Sequence, residues 1–260
     1  MIAWHEAGSG PALVLLHGIS SSSTSWHKQL NDPVLQRCCR MIAWDAPGYG
    51  MSGVLNHAQP SADLYADALA QMLDEADEWE VVLVGHSLGA LIASAFAARY
   101  PQRVSHLVLA DPAQGYGSAP LEKQQQVLVQ RQQQLAGGLE KLAATRAVRL
   151  LRPEADERDI ATVAAGMRQL NPEGFLQAVS LLVHEDISRW LAKNSCPAEV
   201  WCGDQDVITP PQQSSALARS RGVPYLPIPG AGHASYLDNA AFFNRQLRRV
   251  ITGEGDGSTH

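Results

Sequence analysis

The chain has 260 residues, enough for one large domain with a deep core. Hydrophobic residues make up 45% of it and charged residues 18%, a balance typical of globular proteins and not of disordered ones. The formal net charge is -6 and no basic stripe is visible. We therefore expect no nucleic acid and no anionic membrane as a partner.

Targeting signals and cysteines bear on the cellular compartment. The N-terminus lacks the basic start and apolar run of a signal peptide, and the apolar runs are too short to span a bilayer. Four cysteines occur without the C-x-x-C spacing of zinc or redox sites, at Cys38, Cys39, Cys196 and Cys202. We expect reduced cysteines and a cytoplasmic location.

Short apolar runs alternate with longer helical patterns, which predicts a parallel sheet covered by helices. Strands are predicted at residues 2–5, 12–17, 40–45, 81–85, 104–110, 198–202 and 224–228. A helix at 61–76 is predicted to begin with Ser61 as N-cap and to carry Leu64, Ala68 and Met72 on one face. A second, alanine-rich helix at 88–100 ends before Pro101.

The strand–helix alternation stops after Asp111. Helical patterns alone follow, at residues 123–134, 139–151, 157–170 and 174–183. The first is glutamine-rich, but Val127, Leu128 and Leu135 give it an apolar face, so it is interpreted as an exposed helix. The predicted fold is α/β, with a mostly parallel twisted sheet, helices on both faces and an inserted helical cap. The core comprises residues 1–112 and 196–252, the cap 113–195 and a flexible tail 253–260.

The most informative motif is G-x-S-x-G, from Gly85 through Ser87 to Gly89. It follows an apolar strand and precedes a helix, which is the context of a nucleophile elbow that exposes the serine hydroxyl. The positive end of the following helix points at the serine, where negative charge would develop. The sequence therefore predicts Ser87 as a nucleophile.

A nucleophilic serine needs a histidine base that a carboxylate orients. His233 follows the last strand in a glycine-rich loop, and such loops place a side chain at the carboxyl ends of strands. His86 adjoins Ser87 on the elbow, so its side chain is expected to point elsewhere. The other histidines lie in segments without catalytic motifs, in the tail or at the end of an early strand: His5, His27, His57, His106, His184, His260 and His17. His233 is the predicted base.

The segment from Trp201 to Pro210 follows a strand and offers two acids, Asp204 and Asp206. Taken together, the motifs resemble the α/β-hydrolase superfamily from about residue 3 to residue 252. Members of that family often carry the acid in a G-x-x-D-x-x-x-P segment, which this sequence matches with Asp206 as the aspartate. The resemblance therefore implies Asp206 as the acid. Asp111 looks like a second acid position that some members use.

The resemblance also implies an oxyanion hole. His17-Gly18 is similar to the family's turn that supplies one backbone N–H, and the residue after the serine supplies the other. These groups are the N–H groups of Ile19 and Leu88. The sequence from Asp45 to Ser52 resembles the family's D-x-P-G-x-G-x-S loop and is interpreted as architectural.

The implied function is hydrolysis of a small or medium carboxylic ester or lactone through an acyl-enzyme. The chain looks most like enol-lactone hydrolases and small carboxylesterases, with a small molecule as partner and no metal or organic cofactor. The polar, glutamine-rich insertion disfavours long-chain lipids as substrates. The sequence gives no indication of the oligomeric state.

Other activities occur on this fold. Haloalkane dehalogenases and epoxide hydrolases place aspartate at the elbow, so Ser87 argues against both. Hydrolases of carbon–carbon bonds in aromatic ring-fission products typically show asparagine before the serine and tryptophan after the histidine. This chain has His86 and Ala234 there. Cofactor-free haloperoxidases and non-catalytic ligand receptors on the same fold stay as further alternatives.

Overall fold

The computed structural model describes residues 1–253, which contain seven strands and twelve α-helices. The strands are β1 Trp4–Gly8, β2 Ala12–Leu16, β3 Arg40–Trp44, β4 Val81–His86, β5 Val104–Ala110, β6 Ala198–Gly203 and β7 Tyr225–Ile228. They form one sheet in the order β1-β3-β2-β4-β5-β6-β7, in which β1 is antiparallel to β3 and all other pairs are parallel. The predicted α/β class with a mostly parallel sheet is confirmed.

The helices are α1 His27–Leu30, α2 Leu35–Cys38, α3 Ala62–Glu75, α4 Leu88–Arg99, α5 Leu121–Ala136, α6 Leu139–Leu150, α7 Glu157–Arg168, α8 Pro172–His184, α9 Ile187–Leu191, α10 Pro211–Arg221, α11 Ser235–Asp238 and α12 Ala240–Thr252. Helices α5 to α9 lie between β5 and β6, where the sequence predicts helices and no strand. Helices α1, α2, α9, α10, α11 and α12 are not among the predicted ones. Of the predicted tail, only Gly253 lies within the described residues. No helix in residues 1–253 is long and apolar enough to cross a membrane.

The sheet separates two apolar cores. Side chains alternate along a strand, so Val14 and Leu16 of β2 pack into the core shared with α3 and α4. Leu13 and Leu15 of the same strand pack into the core shared with α12. Both faces are buried, which is why β2 is apolar without interruption.

The polar residues that the sequence analysis singled out lie at the carboxyl ends of the parallel strands. His17 follows β2, Ser87 follows β4, Asp111 follows β5, and Asp206 and His233 follow β6 and β7. In an open α/β sheet this edge is where ligands bind. The first strand lies further along the chain than predicted: it runs from residue 4 to residue 8, not from 2 to 5, and pairs along the whole of β3.

Helix α3 differs from the sequence prediction at its start. Ser61 occupies the N-cap position with an extended backbone, but its side chain makes no capping hydrogen bond. Instead the Ala62 N–H donates to Oε1 of Glu185 over 2.9 Å. The Glu185 carboxylate thus accepts a hydrogen bond from the N-terminus of α3, and its negative charge is favourable at the positive end of the helix dipole. Leu64, predicted on the buried face, is only half-buried.

The insertion contacts the loop after β3 through two glycines. A Cβ on Gly174, near the start of α8, would lie 2.1 Å from the carbonyl oxygen of Gly48. Gln177, one turn later, exchanges hydrogen bonds with the backbone of Leu55 and donates another to the carbonyl of His57. The close approach therefore requires glycine at position 174.

We expect Gly174→Ala to lower Tm by several degrees, because overpacking costs about 1–3 kcal/mol and each kcal/mol shifts Tm by roughly 2–4 °C in a chain of this size. Gly166→Ala, in the neighbouring helix α7, is the matched control. Its Cβ meets nothing within 4 Å, so the gain in helix propensity, about 1 kcal/mol, is expected to raise Tm. A Gly174→Ala variant as stable as the parent would contradict the described contact.

Candidate active site

The turn between β4 and α4 holds Ser87 in an unusual backbone conformation. Its φ is 54° and its ψ is -116°, a region that L-residues rarely occupy. A Cβ on Gly85 would lie 2.3 Å from the carbonyl oxygen of Gly89, and one on Gly89 would lie 2.5 Å from the carbonyl oxygen of Leu16. The Ser87 N–H donates to the Ala110 carbonyl on β5 over 2.9 Å. Both glycines are thus needed for the turn to fit.

Ser87, His233 and Asp206 lie in one chain of hydrogen bonds. His233 Nε2 lies 3.0 Å from Ser87 Oγ, and His233 Nδ1 lies 2.8 Å from Asp206 Oδ2. All three residues are buried. These are the distances and the order of contacts that nucleophile, base and orienting acid require.

Asp206 is held as an ionised acceptor. Its Oδ1 accepts from the N–H groups of Ile208 and Thr209, at 2.7 and 3.0 Å, and its Oδ2 accepts from the Thr209 hydroxyl at 2.7 Å. Burial alone raises the pKa of Asp206, but the charge of His233 and these hydrogen bonds outweigh it, so the pKa is lowered. Thr209 was not singled out in the sequence, although it stands within the matched G-x-x-D-x-x-x-P segment.

The other candidate acids do not contact the His233 ring. Asp204 is exposed, and its Oδ1 accepts from the Gly230 N–H over 2.9 Å. It fixes the loop that precedes His233 without reaching the imidazole. Asp111 is buried, and in residues 1–253 no hydrogen bond joins it to His233.

The turn after β2 approaches the elbow closely. A Cβ on Gly18 would lie 3.1 Å from Ser87 Cβ, and both Ile19 and Leu88 line the cavity beside the serine. In the described part of the chain, neither the Ile19 N–H nor the Leu88 N–H donates a hydrogen bond. Two free donors beside a serine hydroxyl are what an oxyanion hole needs.

Two aromatic side chains fix that turn. His17 donates from Nδ1 to the Gly18 carbonyl over 2.8 Å and accepts the Ala46 N–H at Nε2 over 3.0 Å. The Tyr49 hydroxyl donates to the Ile19 carbonyl over 2.8 Å. The loop from Asp45 to Ser52 thereby positions the Ile19 peptide.

His86 contacts the backbone of His233. Its Nε2 donates to the His233 carbonyl over 2.7 Å, while its buried Nδ1 has no hydrogen-bond partner in the described residues. Burial and the proximity of His233 lower the pKa of His86 to about 3, so the ring is neutral at neutral pH. His86 therefore holds the His233 backbone in place.

Ser87 and His233 open into a cavity of about 270 Å³. This volume is close to the lower end of the roughly 300–1,000 Å³ typical of small-molecule sites. The turn after β2, the elbow and the insertion helices α5, α6 and α7 all contribute to its wall, and the wall residues from those helices are Arg131, Arg146, Leu150, Thr162, Val163 and Gly166.

Within residues 1–253, one cluster has the composition of a metal site. The donor atoms of Asp111, Cys202 and Asp206 lie within 4.8 Å of one another. Each carboxylate oxygen already accepts a hydrogen bond from the protein, including those from Gly203 and Ser235 to Asp111. The cluster is thus part of the hydrogen-bond network around His233.

The sequence profile of the alpha/beta hydrolase fold family matches residues 11–240. The chain belongs to this family. The α/β-hydrolase is 29% identical over 246 residues to the pimeloyl-[acyl-carrier protein] methyl ester esterase of Chromobacterium violaceum, covering 92% of this chain and 94% of that protein. The predicted family and enzyme class, an α/β-hydrolase, are confirmed.

Solved structures resemble the α/β-hydrolase over nearly its whole length. A thermophilic esterase from Thermogutta terrifontis, solved with malate bound, superposes with a TM-score of 0.84 at 26% identity, covering 97% of this chain and 93% of that one. The enol-lactonase of Burkholderia xenovorans LB400 superposes with a TM-score of 0.82 over 97% and 96% of the two chains. At 20% identity, this second likeness concerns the fold.

Asp111 is the buried acid with the most strongly altered protonation near this site. Burial and the negative charge of Asp206 raise the pKa of Asp111 to about 7, although Gly203 and Ser235 donate hydrogen bonds to its oxygens. A raised pKa means that the folded state binds this proton more tightly than the unfolded chain does. The stability that the protonated carboxyl contributes is therefore present near pH 4 and is lost as the pH rises towards about 7.

We expect the Tm of Asp111→Asn, measured relative to the Tm of the parent, to be several degrees higher at pH 8 than at pH 5. An amide resembles the protonated acid, because Oδ1 keeps the Gly203 N–H and Nδ2 can donate to Ser235. Thermal melts at both pH values measure the difference, and Asp204→Asn, which removes an exposed carboxylate, is the control. An Asp111→Asn difference that does not change with pH would show that Asp111 is ionised throughout this range.

Proposed function

We propose that this α/β-hydrolase cleaves a carboxylic ester or lactone through an acyl-enzyme, with Ser87 as nucleophile, His233 as base and Asp206 as orienting acid. The main support for the proposal is that His233 bridges Ser87 and Asp206 by hydrogen bonds of 3.0 and 2.8 Å, and that Ser87 and His233 line a cavity. The elbow conformation of Ser87 and the free N–H groups beside it support the same chemistry.

The proposed reaction proceeds in two halves. His233 Nε2 takes the proton of Ser87 Oγ as the oxygen attacks the carbonyl carbon, and Asp206 stabilises the imidazolium. His233 then gives this proton to the departing alkoxide, which leaves an acyl group on Ser87. Water, deprotonated by His233, attacks the acyl group, and the proton returns to Ser87 as the carboxylic acid is released.

The tetrahedral oxygen formed in each half is proposed to accept hydrogen bonds from the Ile19 and Leu88 N–H groups. A donor of this kind contributes about 3–4 kcal/mol to the transition state. His17 and Tyr49 hold the Ile19 peptide rigidly, so that donor does not reorganise during the reaction. The positive end of α4 adds to the same stabilisation.

The cavity and the comparisons support a small or medium substrate. A volume of about 270 Å³ suits a short acyl chain, and Arg131 and Arg146 make the wall too polar for a long alkyl tail. The protein from Chromobacterium violaceum is named for a methyl ester, and the Thermogutta terrifontis protein for esterase activity. A small-molecule ester is therefore the proposed partner.

We also propose that the chain consists of the core and the cap that the sequence predicts. Residues 1–112 and 196–252 would form the catalytic core, and residues 113–195 a cap that closes the cavity. The wall residues from α5, α6 and α7 support this division, as does the contact between Gly174 and the loop after β3. A cap of this kind excludes water from the reaction.

Asp206→Asn is expected to reduce kcat on 4-nitrophenyl acetate by several orders of magnitude. The amide favours the wrong tautomer of His233, and the corresponding change in a serine protease costs roughly 10⁴ in kcat. Asp204→Asn is the matched control: it alters the same loop and is expected to stay within about tenfold of the parent, since Asp204 contacts Gly230 and not His233. A larger loss in Asp204→Asn than in Asp206→Asn would move the acid to Asp204.

A further inference from the structure

Two arginines face the cavity that contains Ser87 and His233. Arg131 lies on α5 and Arg146 on α6, and both line the cavity wall. Among the described residues, no aspartate or glutamate lines it. Two positive charges therefore line the same cavity as the proposed catalytic residues.

The two guanidinium groups lack ionic partners within residues 1–253. Arg146 makes no hydrogen bond or ion pair there, and its Nε is buried without a partner. Arg131 donates one hydrogen bond, from Nη1 to the amide oxygen of Gln134 on the same helix, over 3.2 Å. Most donors of the pair are thus unused by the protein.

Burial and mutual repulsion make this arrangement unfavourable for the free protein. Desolvation together with the charges of Arg131 and Arg149 lowers the pKa of Arg146 to about 9, which still leaves the guanidinium charged at neutral pH. Both residues are half-buried, and an unpaired charge that is partly withdrawn from water is costly and is rarely kept without a function. Groups that destabilise a fold in this way are typical of binding sites.

An anion would satisfy both groups. The planar guanidinium fork matches a carboxylate in a bidentate arrangement, and the interaction strengthens where water is excluded. Building on the proposed function, we propose that the natural substrate carries a free carboxylate besides the bond that Ser87 attacks, and that Arg131 and Arg146 bind this carboxylate. The substrate class is then a half-ester of a dicarboxylic acid or a lactone that bears a carboxylate.

This pairing would orient the substrate as well as select it. A carboxylate held at α5 and α6 would anchor one end of the molecule and orient the reactive carbonyl towards Ser87, which lines the same cavity. A neutral ester of the same size would enter without pairing the guanidinium groups. The enzyme should therefore discriminate strongly against a substrate that lacks only the charge.

Matched substrates test the charge requirement. Mono-4-nitrophenyl esters of glutaric, adipic and pimelic acid are compared with the esters in which a carboxamide replaces the free carboxylate. Because hydrogen bonds to charged groups are worth about 1.5–3 kcal/mol, the acid should exceed the amide in kcat/KM by on the order of 10- to 100-fold at the best chain length. An acid-to-amide ratio of one or less at every length would overturn the proposal.

Three variants assign the preference to the cavity. Arg131→Met and Arg146→Met keep much of the side-chain volume and remove the charge, and each is expected to reduce the acid-to-amide ratio about tenfold or more. Arg149→Met is the control, since Arg149 is exposed on the same helix α6 and does not line the cavity. Its ratio should stay within about twofold of the parent. An equal loss in all three variants would indicate a general effect of cap charge and contradict the proposal.

Two further readouts separate this inference from the proposed function. Removal of an unpaired, half-buried charge should raise the Tm of Arg146→Met by about 2 °C or more, whereas loss of a structural arginine would lower it. Adipate should bind to Ser87→Ala in calorimetry, and Arg146→Met in that background should weaken this binding at least about tenfold.

Hydrolysis of both ester series without an acid preference would refute the inference alone. Adipate binding without any hydrolysis would refute the proposed function and keep the carboxylate site.

Discussion

The backbone of Ser87 is the constraint on which the rest of the site depends. A non-glycine residue at φ 54° and ψ -116° costs about 1–3 kcal/mol, and it persists because β4 and α4 are held on both sides of it. Gly85 and Gly89 allow α4 to approach the sheet to distances that exclude any Cβ. That approach brings the Leu88 N–H and the serine hydroxyl close together at the edge of the sheet, and the cavity opens there.

The other groups of the site reach this point from separate strands, and most are fixed by contacts to backbone. His86 donates to the His233 carbonyl, Tyr49 donates to the Ile19 carbonyl, and the backbone N–H groups of Ile208 and Thr209 donate to the Asp206 carboxylate. Hydrogen bonds to peptide groups position a neighbour without adding charge to the site. The positive charge of the cavity is instead supplied from the insertion, so the chemistry and the proposed recognition of the substrate come from different parts of the chain.

Much of this arrangement could be predicted from the sequence, because its signals are local. The G-x-S-x-G turn can be recognised because glycine is required within two residues of the serine, and β5, Val104–Ala110, has the bounds that the sequence predicts. What could not be predicted depends on contacts across long stretches of chain. The N-terminus of α3 is capped by Glu185, 123 residues away from Ala62, and not by Ser61 as predicted. Arg131 belongs to a helix that is polar in sequence, and nothing in that pattern indicates that its side chain lines the cavity. Local patterns carry no information about such partners.

Covalent labelling with a fluorophosphonate tests whether Ser87, the strained serine of the elbow, is an activated nucleophile. The reagent phosphonylates a serine only when a base removes its proton and an oxyanion hole accepts the developing charge. We expect a single adduct, located on Ser87 by peptide mass spectrometry, with no adduct in Ser87→Ala and a greatly slowed reaction in His233→Ala. An unlabelled parent protein, or an adduct on a different residue, would contradict it.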